Sequence, residues 1–300
     1  MDLTVGPNLF FWSTEKLHRH HAGLAAAPVA RVVLGELVCS KRLPFWQDSI
    51  APAIEALQAA GKEVALTTLA LITLKRERRL TADLAAMGLP VEISDLSALA
   101  HIPEGTPFWV GPLVNVYNEG TLRWLAKRGA VRICLPPELP PHSVSVLAEA
   151  ARGCGVAIEV WGHGRLPLAI SARCYHARLH DRAKDSCQFV CAEDPDGRDV
   201  DTLDGQKFLA VNGVQTLSQA HACHAHHVAE LRAMGVDTLR LSPQSQGFGE
   251  ICAGYARLLA GETGADDLLA TLRAAQPGAA FCDGFASGHA GVNWRASAAG

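Results

Sequence analysis

The sequence predicts an α/β chain folded as one TIM-barrel-like (β/α) domain, and three observations predict it. Short apolar runs rich in β-branched residues alternate with longer segments of helical period, five of those helical segments stop at a glycine, and no Pro/Gly/Ser linker or low-complexity stretch divides the 300 residues. The expected domain covers residues 1–300, with a doubly wound open sheet as the alternative architecture.

In chain order, the strand runs are 2–5, 32–38, 63–67, 90–94, 108–111, 131–135, 157–161, 208–212 and 238–242. That is one more than a barrel needs. Helices are expected at 45–60, 76–87, 118–128, 143–152 and 218–234, followed by Gly61, Gly88, Gly129, Gly153 and Gly235. Glycine past the last turn takes the left-handed conformation that ends a helix at least cost. Either architecture places the chemistry at the carboxyl ends of the strands. Polar residues at those ends are Glu36, Cys39, Asn115, Asn118, His163, Asn212, Arg240, Ser242 and Gln244. Each could bind a small carboxylate or knit the rim together.

Composition narrows the class. At 49 % hydrophobic and 19 % charged residues the chain reads as soluble and globular, and a net charge of −3 argues against nucleic acid or an anionic membrane as partner. The N-terminus lacks the basic and apolar regions of a signal peptide, and no apolar run approaches the about 20 residues of a membrane span. A cytoplasmic location is expected. Thiols stay reduced there, so nine cysteines point to ligands, redox chemistry or packing before disulfides. No dinucleotide fingerprint, Walker motif, His-Glu-x-x-His or Gly-x-Ser-x-Gly is present.

Cys174, Cys187 and Cys191 share one basic stretch, and Cys39 closes an apolar run far upstream. Thiolates suit iron–sulfur clusters and zinc. Arg173, Arg178, Arg182 and Lys184 would offset the negative charge of a thiolate-ligated group, against Asp181 and Asp185. Spacing and charge leave joint ligation and unrelated surface thiols both open, and zinc competes with a cluster. Cys134, Cys154, Cys223, Cys252 and Cys282 read as packing residues. His221, His224, His226 and His227 fall on the predicted 218–234 helix, with His226 and one of His221 or His227 on its solvated face; His18, His20 and His21 read as surface residues.

The run Glu159-Val-Trp-Gly-His-Gly-Arg-Leu-Pro-Leu-Ala-Ile-Ser-Ala-Arg-Cys174, with Cys187 and Cys191 after it, resembles the signature region of the U32 peptidase family. Leu34-Gly-Glu-Leu-Val-Cys-Ser-Lys-Arg42, Gly111-Pro-Leu-Val-Asn-Val-Tyr-Asn118, Leu239-Arg-Leu-Ser-Pro-Gln244 and Cys282-Asp-Gly-Phe285 extend the likeness along the chain. The resemblance implies a barrel-like fold and a [4Fe–4S] cluster held by Cys39, Cys174, Cys187 and Cys191. It also implies a heterodimer with a UbiU-like partner that hydroxylates a ubiquinone precursor without oxygen, with prephenate as hydroxyl donor. The alternatives it carries are an RNA-base hydroxylation factor, a peptidase, or a non-catalytic partner subunit whose four cysteines only order a loop. The residues that would act catalytically are not assigned.

Overall fold

Apolar and interior positions alternate along eight short strands, and that alternation lets the sheet close. The computed structural model describes residues 1–294; residues 295–300, part of the expected domain, lie outside the described residues. The barrel strands are β1 (Asp2–Val5), β2 (Arg31–Leu34), β3 (Glu63–Thr67), β4 (Val91–Ile93), β5 (Phe108–Val110), β6 (Ala130–Cys134) and β7 (Ala157–Ile170), closed by a later strand, Thr238–Leu241. All eight run parallel, and the last pairs with both β1 and β7. A closed parallel barrel, not an open sheet, is the result.

Outward residues such as Leu3, Val5, Val32, Leu34, Val64, Leu66, Ile133, Ile158 and Leu239 join one core beneath the surrounding helices. The residues between them form an inner ring of Thr4, Val33, Ala65, Glu92, Trp109, Cys134, Glu159 and Arg240, one from each strand. Successive strand residues face opposite sides, so eight strands contribute one inward side chain each at this level. Arg240 lies among carboxylates there. Its Nε donates to Glu159 and its guanidinium forks onto Glu92, with Nη1 to Oε1 at 3.0 Å. Burial works against the guanidinium charge, but Glu159 and Glu92 outweigh it and hold Arg240 protonated.

The outer layer contains α1 (Thr14–Ala26), α2 (Gln47–Ala59), α3 (Lys75–Ala85), α4 (Glu119–Lys127) and α5 (Pro141–Arg152), each between consecutive strands. The positions expected for α2 to α5 hold within a few residues, whereas α1 was not among the expected helices. Asn118 caps α4 by accepting from Thr121 N at 2.8 Å. Gly153 remains right-handed at the end of α5, and Gly155 makes the left-handed turn two residues later.

The predicted strand at 208–212 belongs to a lobe, not to the barrel. β7 runs past the rim to Ile170 and is joined by β8 (Arg198–Asp201), β9 (Lys207–Asn212) and β10 (Gln215–Cys223) in an antiparallel sheet; the short helix α6 (Tyr175–Arg178) lies between β7 and β8. Gly162, Gly164 and Pro167 made β7 look finished at Trp161. Gly164 sits at φ +108°, where a Cβ would approach Ser242 Cβ to 2.7 Å, and Pro167 falls beside a register shift in the ladder, where a missing N–H is tolerated.

The helix expected at 218–234 is corrected. Residues 215–223 are strand β10, and α7 (Val228–Met234) forms only the last part. Ladder bonds to β7 and β9 override the local helical pattern of Ser218 to His227. The closing barrel strand is β11 (Thr238–Leu241), followed by α8 (Phe248–Ala260), α9 (Ala265–Ala275) and β12 (Phe281–Cys282), which pairs with β10.

This change buries His221, which was expected on a solvated helix face, beside the rim residue His163. His163 Nε2 and His221 Nδ1 lie 3.2 and 3.1 Å from Gln276 Oε1, so each donates to that one oxygen. His21 is buried too. Burial lowers the pKa of His163 to about 3 and of His221 to about 4; for His163 the nearby His221 adds to the effect, and for His221 Arg165 does. Among the described residues no helix is long and apolar enough to cross a membrane.

Two predictions follow from these buried groups. The unfolded imidazole takes a proton near pH 6.5 and the folded one does not until pH 3–4, so stability is fully present above 6.5 and falls as pH drops below it. At pH 5 each histidine should cost about 2 kcal/mol relative to pH 7.5, and urea titrations of His221→Gln should show a flatter loss between those values. Arg240→Leu strands two buried carboxylates and should lower the unfolding free energy by about 3–5 kcal/mol in the same assay.

Candidate cysteine site at the barrel rim

After β2 the chain rises through Gly35 and Glu36 to the thiol-bearing turn. Glu36 is buried, and its Oε1 accepts from Val38 N at 2.7 Å and Cys39 N at 2.9 Å. A 3₁₀ turn over Ser40–Phe45 then starts at Cys39, with Arg42 N donating to Cys39 O at 2.9 Å. Burial raises the Glu36 pKa to about 7 against the opposing pull of Arg42 and the two N–H groups. Glu36 therefore shapes the turn that presents Cys39.

The other three thiols lie on the lobe. Cys174 caps α6, its Sγ accepting from Ala177 N at 3.4 Å. Between Cys187 and Cys191 the backbone passes through two left-handed residues, Gln188 and Phe189 at φ 50° and 56°, which fold the segment back on itself. Arg182 Nη1 donates to Cys187 O at 3.4 Å. Cys39, Cys174, Cys187 and Cys191 line one pocket with Lys41, Arg42, Lys184, Phe189, Val190 and Gly213. All four also pack against one apolar cluster that includes Leu9, Phe10, Phe11 and Trp46.

Arg42 joins the two halves of the site. It is buried, and its Nη1 donates to Leu9 O at 3.2 Å and its Nη2 to Asn212 Oδ1 at 2.6 Å. Asn212 in turn donates to Cys191 O at 3.1 Å and Asp194 O at 2.9 Å. The turn from β9 to β10 lies against this guanidinium: Gly213 is left-handed, and a Cβ there would come within 2.5 Å of Arg42 Nη2. Burial raises the pKa of Cys39, Cys174 and Cys191; Arg42 is the largest opposing influence on Cys39 and Cys191, and Ala177 N–H on Cys174. Glu36, Cys191 and Cys39 outweigh burial and keep Arg42 charged.

The sulfurs are gathered but not tightly. Four thiolates on one zinc ion at about 2.3 Å would lie within about 4 Å of one another. Among the described residues the group of three whose ligand atoms all fall within 4.8 Å is His176, His180 and Asp194, so no three of these sulfurs are that close. The spacing is wider than a single shared ion requires.

Elsewhere the rim knits itself together. Arg240 is neutralised inside the barrel, Asn115 is a left-handed cap, Asn118 caps a helix, and His163 is locked to Gln276. Ser242 and Gln244 are buried. Of the flanking cations weighed from the sequence, Lys184 lines the pocket, whereas Arg42 and Lys41 come from the Cys39 turn and were not weighed. Their signal was present, two and three residues beyond Cys39, but nothing local shows that the turn meets the lobe. Of the five packing thiols, Cys134, Cys223, Cys252 and Cys282 are buried; Cys154 is exposed, because it follows α5 in a surface turn.

The family model of Peptidase family U32 matches residues 15–254, from the first helix through the lobe into α8. The chain belongs to that family. The four pocket thiols of this U32 chain fall inside the matched span. Among solved structures it overlaps a mandelate racemase/muconate lactonizing enzyme-like protein from Rubrobacter xylanophilus at 15 % identity and TM-score 0.37, over 53 % of this chain and 46 % of that one. It overlaps N-isopropylammelide isopropylaminohydrolase from Burkholderia multivorans at 11 % and 0.41, covering 92 % and 72 % of the two chains. Dihydrodipicolinate synthase from Agrobacterium tumefaciens overlaps at 11 % and 0.36, covering 90 % and 79 %. The strand order of the U32 chain, not these overlaps, establishes its barrel.

Asn212→Ala should expose the value of the rim-to-lobe link. Removing its amide leaves Arg42 and two carbonyls without their partners, and the unfolding free energy should fall by about 2–3 kcal/mol in urea. Limited proteolysis between residues 172 and 196 should accelerate in the same variant.

Proposed function

We propose that this chain is a UbiV-like member of the U32 family: an iron–sulfur subunit that acts with a UbiU-like partner in the oxygen-independent hydroxylation of a ubiquinone precursor, with prephenate as hydroxyl donor. Four thiols from two distant parts of the sequence line one pocket with three cationic side chains, and this is the observation that carries the reading. Cys39, Cys174, Cys187 and Cys191 would hold a [4Fe–4S] cluster. Such a cluster supplies one-electron chemistry when bound.

The surrounding residues have definable work. Four thiolates around the 2+ core leave net negative charge, which Arg42, Lys41 and Lys184 offset in an apolar surround where Coulomb attraction is strong. Lys41 Nζ is held by Lys184 O at 2.7 Å and Asp185 at 3.1 Å, bridging the Cys39 turn to the lobe. Phe189 packs on Phe11 and Phe45, with ring centroids 5.5 and 4.8 Å apart, and shields the pocket from water.

Purification under strict exclusion of oxygen should yield a brown protein with about four iron and four sulfide per chain. Cys187→Ser should lose that iron while keeping the circular dichroism of the barrel, because Cys187 sits on the lobe. A colourless, iron-free protein from such a preparation would sink the cluster reading.

A further inference from the structure

A second set of ligating side chains lies on the same lobe, just behind the thiols. His176, His180 and Asp194 each place one ligand atom within 4.8 Å of the other two. His176 is fully buried. Its Nε2 is 3.0 Å from Asp194 Oδ2 and the ring also meets the Val211 carbonyl, but neither contact has the geometry of a good hydrogen bond. Buried polar atoms left this way are costly, and a cation among the three ligand atoms would satisfy them together.

The supports are in place. Asn212 holds the Asp194 backbone through its carbonyl at 2.9 Å, and His176 N reaches Gly213 O at 3.5 Å. The His180 ring lies parallel to that of His176, centroids 5.6 Å apart. Exposed Arg198 donates Nη1 to His180 Nε2 at 3.1 Å, so the lone pair of that nitrogen already faces a cation; a metal ion there would displace this surface side chain. His180 and Asp194 are only partly buried, which leaves a path for entry.

We infer that His176, His180 and Asp194 form a mononuclear site for a first-row divalent cation of the zinc or ferrous type, separate from the thiol pocket. Two imidazoles and a carboxylate match the donor preference of those ions, and three protein ligands leave at least one coordination position open. The ion would tie the α6 segment to the chain after Cys191, and so set two thiol-bearing arms relative to each other. The site itself stands whether or not a cluster assembles nearby.

Cobalt(II) discriminates the two sites, because thiolate ligation produces intense sulfur-to-cobalt charge-transfer bands and imidazole–carboxylate ligation does not. Anaerobic titration of the full chain should show one equivalent bound without those bands and a raised melting temperature. That equivalent should weaken by at least about tenfold in His176→Gln and in Asp194→Asn, the loss that even an outer hydrogen-bond partner of a ligand causes. It should persist in Cys187→Ser. The inference is overturned if all cobalt bound by the unaltered chain shows thiolate bands, if none binds, or if the band-free equivalent survives in both variants. The unaltered chain decides the first two outcomes, so a variant that fails to fold does not rescue the idea. Absence of iron after anaerobic purification would count against the cluster alone.

Discussion

A buried guanidinium, Arg42, is the joint between barrel and lobe. It reaches Leu9 after β1, Asn212 on β9 and the Cys191 thiol, and Glu36 holds its charge from the β2 side. A cation this deep is tolerable only because carboxylate, carbonyls and thiols surround it. The same guanidinium opposes, without reversing, the rise that burial imposes on the Cys39 and Cys191 thiols, so one side chain serves both the turn and the lobe.

The barrel beneath solves a related problem in another way. Arg240, Glu92 and Glu159 sit in the inner ring with small neighbours Thr4 and Ala65, which leave room for a long side chain among eight strands. An interior carboxylate pair bonded to one arginine is not available to a substrate at the rim. Functional polarity is displaced upward, to the turn after β2 and to the lobe that β7 builds by continuing past its own barrel layer.

The repeated strand–helix pattern was legible because its signals are local. Each apolar run, each glycine stop and the Asn118 cap involve neighbours within a few residues. The 208–212 run was correctly read as a strand, but its membership in the lobe depends on pairing with β8 and β10. Ser218 to His227 failed for the same reason. Its helical pattern is real but local, and over 215–223 the hydrogen bonds to neighbouring strands outweigh it. His221 thereby becomes a buried Gln276 partner, while His226 and His227 stay partly exposed.

By itself the sequence determined the fold class, most strand and helix positions, and the presence of a basic, thiol-rich segment, since periodicity, capping and side-chain chemistry act over short stretches of chain. Only the tertiary structure decided that Cys39 faces Cys174, Cys187 and Cys191 in one pocket, that Arg42 and Asn212 connect them, and that His176 and His180 meet Asp194. Those contacts join residues far apart in sequence or separated by irregular turns. Their distances are set by how β7 leaves the barrel and returns through β10, which no local pattern of residues encodes.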